Sequence, residues 1–319
     1  MSVQPELQTV NANGLEMLVA TAGEGPLVLL CHGWPEGWRS WRRQIEALAV
    51  AGYRAAAPDM RGYGGTQAPE AVDAYTIMHL VGDVVGLVEA LGEKQAVIVG
   101  HDWGAVVAWH AALLRPDLFR AVVGMSVPYS PPSARSLPEV LRRMGMENFY
   151  ILYFQEEGRA ESELDLDPED SLAKVYLAAS GDAPKGAGFA LVPPEGLLAN
   201  APRPAVQPDW LPQAELAAMA ADFRRAGFRG GLNWYRNMDR NRDLLSAWRG
   251  QPIRQPSLFV AGAKDAVIRF PGSAGAMDAF AQTLPGLRGS VLVEGAGHWV
   301  QQERPDAVNA ALLEFLRGL

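Results

Sequence analysis

The strongest constraint on the fold is the alternation of short apolar strands with helices in the first 128 residues. Residues 27–30 and 96–99 are continuous apolar runs, which predicts strands that are buried on both faces of a sheet. Between them, apolar residues recur at helical spacing from Ile77 to Leu91, and a further strand is predicted near 121–125. This alternation predicts an α/β fold with a mostly parallel sheet that is flanked by helices.

The pattern changes in the middle of the chain. A connector rich in proline and serine, "PYSPPSARSLPEV", is followed by helical patterns without further strand alternation. Strand-like runs return at 257–261 and 290–294, and a final amphipathic helix begins near Pro305. We therefore predict an α/β core that is interrupted by an inserted helical cap (lid) domain. The predicted boundaries are 1–128 and 248–319 for the core and 129–247 for the cap.

Composition and charge exclude several classes of function. The net charge of −8 argues against nucleic acid as a partner, since phosphate binding needs concentrated Lys and Arg. No apolar stretch is long enough to span a bilayer, and no signal-peptide pattern is visible. The single cysteine, Cys31, rules out an intramolecular disulfide and is typical of a reducing compartment. We expect a cytoplasmic protein that is a monomer or a homodimer.

The stretch "GHDWG", residues 100–104, follows the predicted strand 96–99 directly. A strand that runs into a tight turn with a nucleophile at its apex is usually written G-x-S-x-G, but here the apex residue is Asp102. Sites in α/β sheets form beyond the carboxyl ends of strands, and Asp102 has that position. Asp102 is therefore a candidate nucleophile, and an ordinary helix N-cap is the alternative.

A histidine and a second carboxylate occupy the positions that such a nucleophile requires. Among the five histidines, only His298 follows a C-terminal strand and begins a loop, in "EGAGHWVQQERP". Asp265, in "LFVAGAKDAVI", follows the preceding strand, whereas "GMSVPYS" after strand 121–125 has no carboxylate. The order nucleophile, acid, base predicts His298 as the general base and Asp265 as the residue that orients it. A hydrogen-bonded loop histidine is the alternative.

The segment "CHGWPE" follows the first predicted parallel strand. In a hydrolase of this kind, the oxyanion hole combines the N–H after the nucleophile with one from the loop after an early strand. The backbone N–H groups of Trp103 and Trp34 are the candidates. A simple turn whose backbone is fixed by Pro35 is the alternative.

With these pieces in place, the chain resembles the α/β-hydrolase superfamily over nearly its whole length, and within it the soluble epoxide hydrolases. The resemblance rests on H-G-W-P at 32–35, G-Y-G-G-T at 62–66, G-H-D-W-G at 100–104, A-K-D at 263–265 and G-H-W at 297–299. It implies the α/β-hydrolase fold and a small-molecule epoxide and water as substrates. It further implies detoxification as a role, with no cofactor and no metal.

Two stretches of the predicted cap match the family more narrowly: "NFYILYFQE" at 148–156 and "NWYRNMDRN" at 233–241. In the family each carries a tyrosine aimed at the nucleophile, which implies Tyr150 and Tyr235 here. Tyr153 lies only three residues after Tyr150, so the choice between them rests on the motif; packing with the hydroxyl at the surface is the alternative for each. The resemblance also implies a cis Trp34–Pro35 bond. The expected substrate contacts are Trp34, Trp103, Phe149, Tyr153 and Trp299.

An aspartate at the apex suits attack on a saturated carbon. A serine would leave an ether there, whereas a carboxylate leaves an ester whose carbonyl carbon can accept water. Asp102 is anionic at neutral pH and needs no base in the first step, which leaves His298 free to activate water in the second. The two phenols, Tyr150 and Tyr235, could protonate the oxygen of an epoxide as general acids.

Two other functions fit parts of the pattern. Haloalkane dehalogenases resemble this chain in the nucleophile turn, but a leaving halide needs no proton. They commonly place Asn where Trp34 stands, and they lack the paired tyrosine motifs. A ligand-binding protein that uses the fold without turnover is the third hypothesis, since fold alone does not prove function.

Overall fold

The computed structural model describes residues 3–319. The strands are β1 (Glu6–Ala12), β2 (Leu15–Ala22), β3 (Leu27–Cys31), β4 (Arg54–Pro58), β5 (Ala96–His101), β6 (Phe119–Met125), β7 (Ser257–Gly262) and β8 (Leu287–Val293). They form one 8-stranded sheet in the order β1-β2-β4-β3-β5-β6-β7-β8. β2 pairs antiparallel with β1 and β4, and the other neighbours pair in parallel. The predicted fold class, a mostly parallel sheet flanked by helices, is confirmed.

Three strands were not predicted: β1, β2 and β4. β1 is a largely exposed edge strand without a continuous apolar run, and β4 consists mainly of alanine, which has a weak strand preference. The turn between β1 and β2 is Asn13-Gly14, with both residues at positive φ, a strong hairpin signal. β8 begins at Leu287, three residues before its predicted start, because its exposed edge position lets polar residues alternate with apolar ones.

The core helices lie on both faces of the sheet. Side chains of β3 alternate between two apolar clusters: Leu27 and Leu29 pack with α2 and α3, and Val28 and Leu30 pack with α1 and α14. These helices and the short ones near β7 and β8 are α1 (Arg42–Val50), α2 (Ile77–Ala90), α3 (Trp103–Leu114), α11 (Ser273–Asp278), α12 (Phe280–Thr283), α13 (Val300–Glu303) and α14 (Pro305–Arg317). Short 3-10 turns cover Trp38–Trp41, Val72–Tyr75, Ser246–Trp248 and Val267–Arg269. Within residues 3–319, no helix has the length and apolar character needed to cross a membrane.

The chain between β6 and β7 is helical. Its helices are α4 (Leu137–Arg143), α5 (Tyr150–Tyr153), α6 (Arg159–Leu164), α7 (Pro168–Ala179), α8 (Gln213–Ala226), α9 (Arg229–Arg236) and α10 (Met238–Leu244). Tyr150 of α5 and Tyr235 of α9 share one apolar cluster with Trp34 and Trp103, which follow β3 and β5. This helical segment therefore packs over the carboxyl ends of the parallel strands.

Helix α9 approaches the core backbone at a pair of glycines. A Cβ on Gly230 would overlap the backbone of Gly62, whose own φ is +85°. The neighbouring Arg61 forms a buried bidentate ion pair with Asp83 of α2, with N···O distances of 2.7 and 2.6 Å. The indole N–H of Trp234 donates to the carbonyl of Arg61 at 3.2 Å. These contacts fix the orientation of the helix that carries Tyr235.

Candidate active site

The predicted nucleophile, base and acid lie together at the carboxyl ends of the parallel strands. Asp102 follows β5, Asp265 follows β7 and His298 follows β8. The His298 Nε2 atom is 3.6 Å from Asp102 Oδ2, and its Nδ1 atom is 3.2 Å from Asp265 Oδ2. The imidazole thus lies between the two carboxylates, in the arrangement of a nucleophile, base and orienting acid.

Asp102 occupies a sharp turn between β5 and α3. Its φ and ψ are 52° and −120°, a backbone conformation that is rare for a residue with a side chain. A Cβ on Gly104 would overlap the carbonyl of Cys31, so the turn can pack this closely only with glycine there. The Asp102 side chain makes no capping hydrogen bond to α3, unlike an ordinary N-cap. It projects instead toward His298 and Trp34.

The expected oxyanion donors flank the Asp102 carboxylate. The backbone N–H of Trp34 donates to Asp102 Oδ1 at 2.8 Å. The Trp34–Pro35 bond is cis, as predicted. Trp103 is the first residue of α3, a position whose N–H has no acceptor within its own helix. Both predicted groups are thus backbone donors next to the nucleophile.

A serine that the sequence analysis passed over contacts both Asp265 and His298. Ser126, directly after β6, places its Oγ atom 2.5 Å from Asp265 Oδ2 and 2.9 Å from His298 Nδ1. Because no carboxylate follows this strand in the sequence, no residue here was predicted to take part. A hydroxyl directly after a buried parallel strand was the signal that could have identified Ser126.

A second buried pair, His101 and Glu36, was not predicted and contacts the backbone of His298. His101 Nδ1 lies 2.8 Å from Glu36 Oε2, and His101 Nε2 lies 2.7 Å from the carbonyl of His298. Glu36 also accepts hydrogen bonds from the side-chain amides of Gln301 and Gln302. The network fixes the backbone of His298. Its signal in the sequence is the carboxylate that ends the "CHGWPE" segment directly after a buried strand.

The charges of the site reinforce one another. Burial alone would raise the pKa of Asp102, but the hydrogen bond and charge of His298 and the N–H of Trp34 outweigh it and hold this pKa below its usual value. Burial is likewise outweighed at Asp265, whose pKa is lowered by His298 and Ser126. Burial would lower the pKa of His298, but Asp265 and Asp102 raise it well above its usual value. In the resting site, an imidazolium therefore lies between two carboxylates.

Asp102, the predicted nucleophile, lies where two arms of a cavity meet. Both arms are lined by Asp102, Tyr150, Tyr235, Val267 and Phe270. The α4 arm has a volume of about 310 Å³ and is also lined by Trp103, Trp109, Leu137, Met238 and Leu245. The α7 arm has a volume of about 360 Å³ and is also lined by Trp34, Ala178, Phe189, His298 and Trp299. A substrate at Asp102 can therefore extend in two directions into apolar space.

The two predicted cap tyrosines lie side by side at this junction. The ring centroids of Tyr150 and Tyr235 are 6.0 Å apart, and both side chains are buried. Both side chains line the junction of the two arms together with Asp102. Burial and the charge of Asp102 raise the pKa of Tyr150, and burial, Tyr150 and Asp102 raise that of Tyr235. Both phenols stay protonated and can donate to a substrate oxygen.

Two expected substrate contacts lie elsewhere. The Tyr153 hydroxyl donates to Glu163 at 3.1 Å, and the Arg159 guanidinium lies over its ring, which draws this side chain away from both arms. Phe149 is buried behind Tyr150, with a ring-centroid distance of 5.1 Å, and lines neither arm. Both residues thus line neither arm, and their contact with substrate remains a prediction. The other three, Trp34, Trp103 and Trp299, line the cavity.

A metal site is not evident in the described chain. Within residues 3–319, no group of three or more His, Cys, Asp or Glu side chains is arranged to hold a metal ion. The polar groups that converge on the cavity are carboxylates, an imidazole, phenols and backbone N–H donors.

Comparisons with known proteins agree with this geometry. The family model described as alpha/beta hydrolase fold matches residues 26–305. Epoxide hydrolase A of Mycobacterium tuberculosis is 47% identical over 99% of this chain and 98% of its own length, and an epoxide hydrolase of Caballeronia sordidicola is 41% identical over 97% and 92%. The solved structure of an epoxide hydrolase from an endophytic Streptomyces superposes with a TM-score of 0.94 at 46% identity, covering 99% of this chain and 96% of that one. The chain therefore belongs to the α/β-hydrolase family and, within it, to the epoxide hydrolases.

Proposed function

We propose that this chain converts epoxides to vicinal diols through a covalent alkyl ester on Asp102. The observation that carries the proposal is the junction of the cavity, where the Asp102 carboxylate and two buried phenols, Tyr150 and Tyr235, line the same space. A carboxylate and an acid are both needed to open an epoxide, since one attacks carbon while the other protonates the departing oxygen.

In the first step, Asp102 Oδ2 attacks a ring carbon. The new C–O bond forms as the ring C–O bond breaks, and its electron pair moves to the epoxide oxygen, which takes a proton from Tyr150 or Tyr235. Oδ1 becomes the ester carbonyl oxygen, and it already accepts the Trp34 N–H at 2.8 Å. The hydrogen bond from Trp34 supports its role as an oxyanion donor in the hydrolysis step.

The first step also prepares the base for the second. Esterification removes the negative charge of Asp102, which is one of the two groups that raise the pKa of His298. The pKa of His298 then falls, and the imidazolium can return a proton to the tyrosinate. Neutral His298 next takes one proton from water as that water attacks the ester carbonyl and forms a tetrahedral intermediate. Collapse of the intermediate breaks the bond between the carbonyl carbon and the substrate oxygen, and this oxygen takes the second proton of the water, which releases the diol and leaves a carboxylate. Asp102 and the imidazolium are restored, so the protons balance over one cycle.

The cap and the two arms suggest the shape of the substrate. We infer that residues 129–247 act as a cap which closes the cavity over the nucleophile. Because one arm extends to each side of Asp102, an epoxide with an apolar substituent on each ring carbon fits the site.

Cys31 is buried and unpaired, which supports the expected reducing, cytoplasmic location.

The variant His298→Gln tests the proposal. Loss of the base should leave ring opening intact and block hydrolysis, because Asp102 needs no base to attack. With styrene oxide, the intact mass of the variant should rise by one substrate molecule, and diol should form at most once per enzyme. Full turnover by the variant would show that the base lies elsewhere.

Parallel incubation of the wild-type enzyme separates the remaining functions. Styrene oxide should give diol, and 1-bromobutane should give no bromide, because the site supplies protons to an oxygen leaving group. Bromide release without diol would favour a haloalkane dehalogenase, and no turnover of either compound would favour a binding protein.

A further inference from the structure

The Ser126 hydroxyl bridges the base and its orienting acid. The side chain is fully buried directly after β6, with Oγ 2.5 Å from Asp265 Oδ2 and 2.9 Å from His298 Nδ1. An ionised carboxylate can only accept, so the single hydroxyl proton of Ser126 is donated to Asp265. Its oxygen is then the acceptor for the N–H of His298. Ser126 therefore has a defined hydrogen-bonding role toward each partner.

This arrangement divides the Nδ1 proton of His298 between two acceptors. The serine oxygen is nearer, at 2.9 Å, while the two oxygens of Asp265 lie 3.2 and 3.3 Å away. Charge-assisted N–H···O bonds are usually about 2.7 to 2.9 Å long. Asp265 also accepts the N–H of Val267 at 2.9 Å, so two donors besides the imidazole draw on its charge. The hydrogen bond between Asp265 and His298 is thus weaker than it would be if Asp265 were the sole acceptor of the Nδ1 proton.

We propose that Ser126 is a positioning residue which shares the Nδ1 proton of His298 with Asp265. This sharing reduces the stabilisation of the imidazolium by Asp265 during ester hydrolysis. The inference rests on the proposed role of His298 as the base. A base that is held too firmly as an imidazolium cannot take a proton from water. Ser126 keeps the orientation that Asp265 provides while reducing the stabilisation of the charged form.

The charged and titratable side chains around the imidazole differ in their distance from it and in whether they carry a charge during hydrolysis. The charged or titratable neighbours are Asp102, Asp265, His101, Glu303 and Lys264. Asp102 Oδ2 is 3.6 Å from Nε2, but it is neutral as an ester when hydrolysis occurs. The His101 ring lies 4.8 Å from that of His298, Glu303 binds backbone N–H groups on either side of His298, and Lys264 donates to a carbonyl. In the ester, Asp265 and Ser126 are therefore the dominant influences on the imidazole.

The backbone conformation of Ser126 allows an effect of the hydroxyl to be distinguished from an effect on protein stability. Its φ is +69°, a conformation that glycine adopts freely and that alanine does not. Ser126→Gly and Ser126→Ala both remove the hydroxyl, but only alanine retains the unfavourable backbone geometry. The two variants should differ in stability and agree in any effect that belongs to the hydroxyl.

The test is single-turnover kinetics with excess enzyme over a range of pH. In both variants the Nδ1–H turns wholly toward Asp265, so the apparent pKa of the hydrolysis step should rise by about 0.5 to 1 unit. Below the wild-type apparent pKa, hydrolysis should be slower by roughly 3- to 10-fold, because less of the base is neutral. At high pH, the variant and wild-type hydrolysis rates should converge, and the ring-opening rate should be unchanged.

Ser257→Ala is the matched control. Ser257 is another fully buried serine, at the start of β7, and its hydroxyl has no partner within residues 3–319. This variant should leave the pH profile of hydrolysis unchanged. The proposal is overturned if the apparent pKa of hydrolysis stays the same or falls in Ser126→Gly and Ser126→Ala, or if it shifts equally in Ser257→Ala. An error in the proposed role of His298 as the base would give a different result from an error in the role of Ser126. In that case the wild-type hydrolysis rate would show no fall as the pH is lowered.

Discussion

At the scale of single residues, the proposed mechanism depends on how the protonation of His298 changes between the two steps. In the resting site, two carboxylates raise its pKa well above the usual value, so it is an imidazolium and a poor base. The proposed ester on Asp102 would remove one of these charges. Hydrolysis should therefore accelerate as the pH rises through the lowered pKa, whereas ring opening needs only an ionised Asp102 and protonated phenols.

In the proposed mechanism, Tyr150 and Tyr235 supply the proton that the departing oxygen needs. Tyr150→Phe and Tyr235→Phe should each slow ring opening by about 10- to 100-fold, since either phenol alone can still donate a proton. The double variant should lose nearly all activity while its circular dichroism spectrum stays unchanged. Single-turnover kinetics with styrene oxide measure the step directly.

Tyr153→Phe is the control for these variants. Its hydroxyl is hydrogen-bonded to Glu163, away from the cavity, so ring opening should continue at the wild-type rate. Wild-type activity in the Tyr150 and Tyr235 double variant would disprove the assignment. A large loss in Tyr153→Phe would instead identify Tyr153 as an acid.

The residues found from sequence and those missed differ in one respect. Asp102, Asp265 and His298 each stand directly after a strand in a recognisable local pattern, and the structure brings them together. Ser126 and Glu36 act through partners that lie far away in the chain, and no short-range pattern specifies such a pairing. Their positions were visible in the sequence, but their hydrogen bonds depend on the folded structure.

At the scale of elements, strand continuity and strand position explain what could be predicted. Fully buried parallel strands such as β3 and β5 are unbroken apolar runs and were found from sequence. Strands at the exposed edge and the alanine-rich β4 carry a weaker signal. The position of α9 depends on contact between two glycines, Gly62 and Gly230, that are remote in sequence.

Gly230→Ala tests this contact. The added methyl group would meet the backbone of Gly62, which cannot yield as a flexible side chain can, so the free energy of unfolding should fall by about 1 to 3 kcal/mol. Displacement of α9 should also move Tyr235 and slow ring opening. Urea denaturation and single-turnover kinetics measure the two effects.

Gly275→Ala supplies the comparison. Gly275 lies in α11, and a Cβ there has no atom within 4 Å, so the same substitution should raise the free energy of unfolding by up to about 1 kcal/mol and leave catalysis unchanged. Equal stability and activity in the two variants would contradict the packing role of Gly230.

At the scale of the whole molecule, the active site is formed between the sheet and the helical segment above it. The sheet supplies Asp102, Asp265 and His298, and the helices supply both phenols and much of the wall of the two arms. The sequence motifs indicated which residues take part. The division of the cavity into two arms arises only from packing of the helical segment on the sheet, so its lining, which lacks Phe149 and Tyr153, could not be predicted from local motifs.

The central claim is that water attacks the enzyme and not the substrate. In a single turnover in H₂¹⁸O with enzyme in excess, water adds to the ester carbonyl of Asp102, and the diol keeps an oxygen that came from the enzyme. Mass spectrometry of the peptide that contains Asp102 should show one heavy oxygen in its carboxylate, and the diol should contain no label. Label in the diol with none in Asp102 would mean that water opens the epoxide directly, and the account would be wrong.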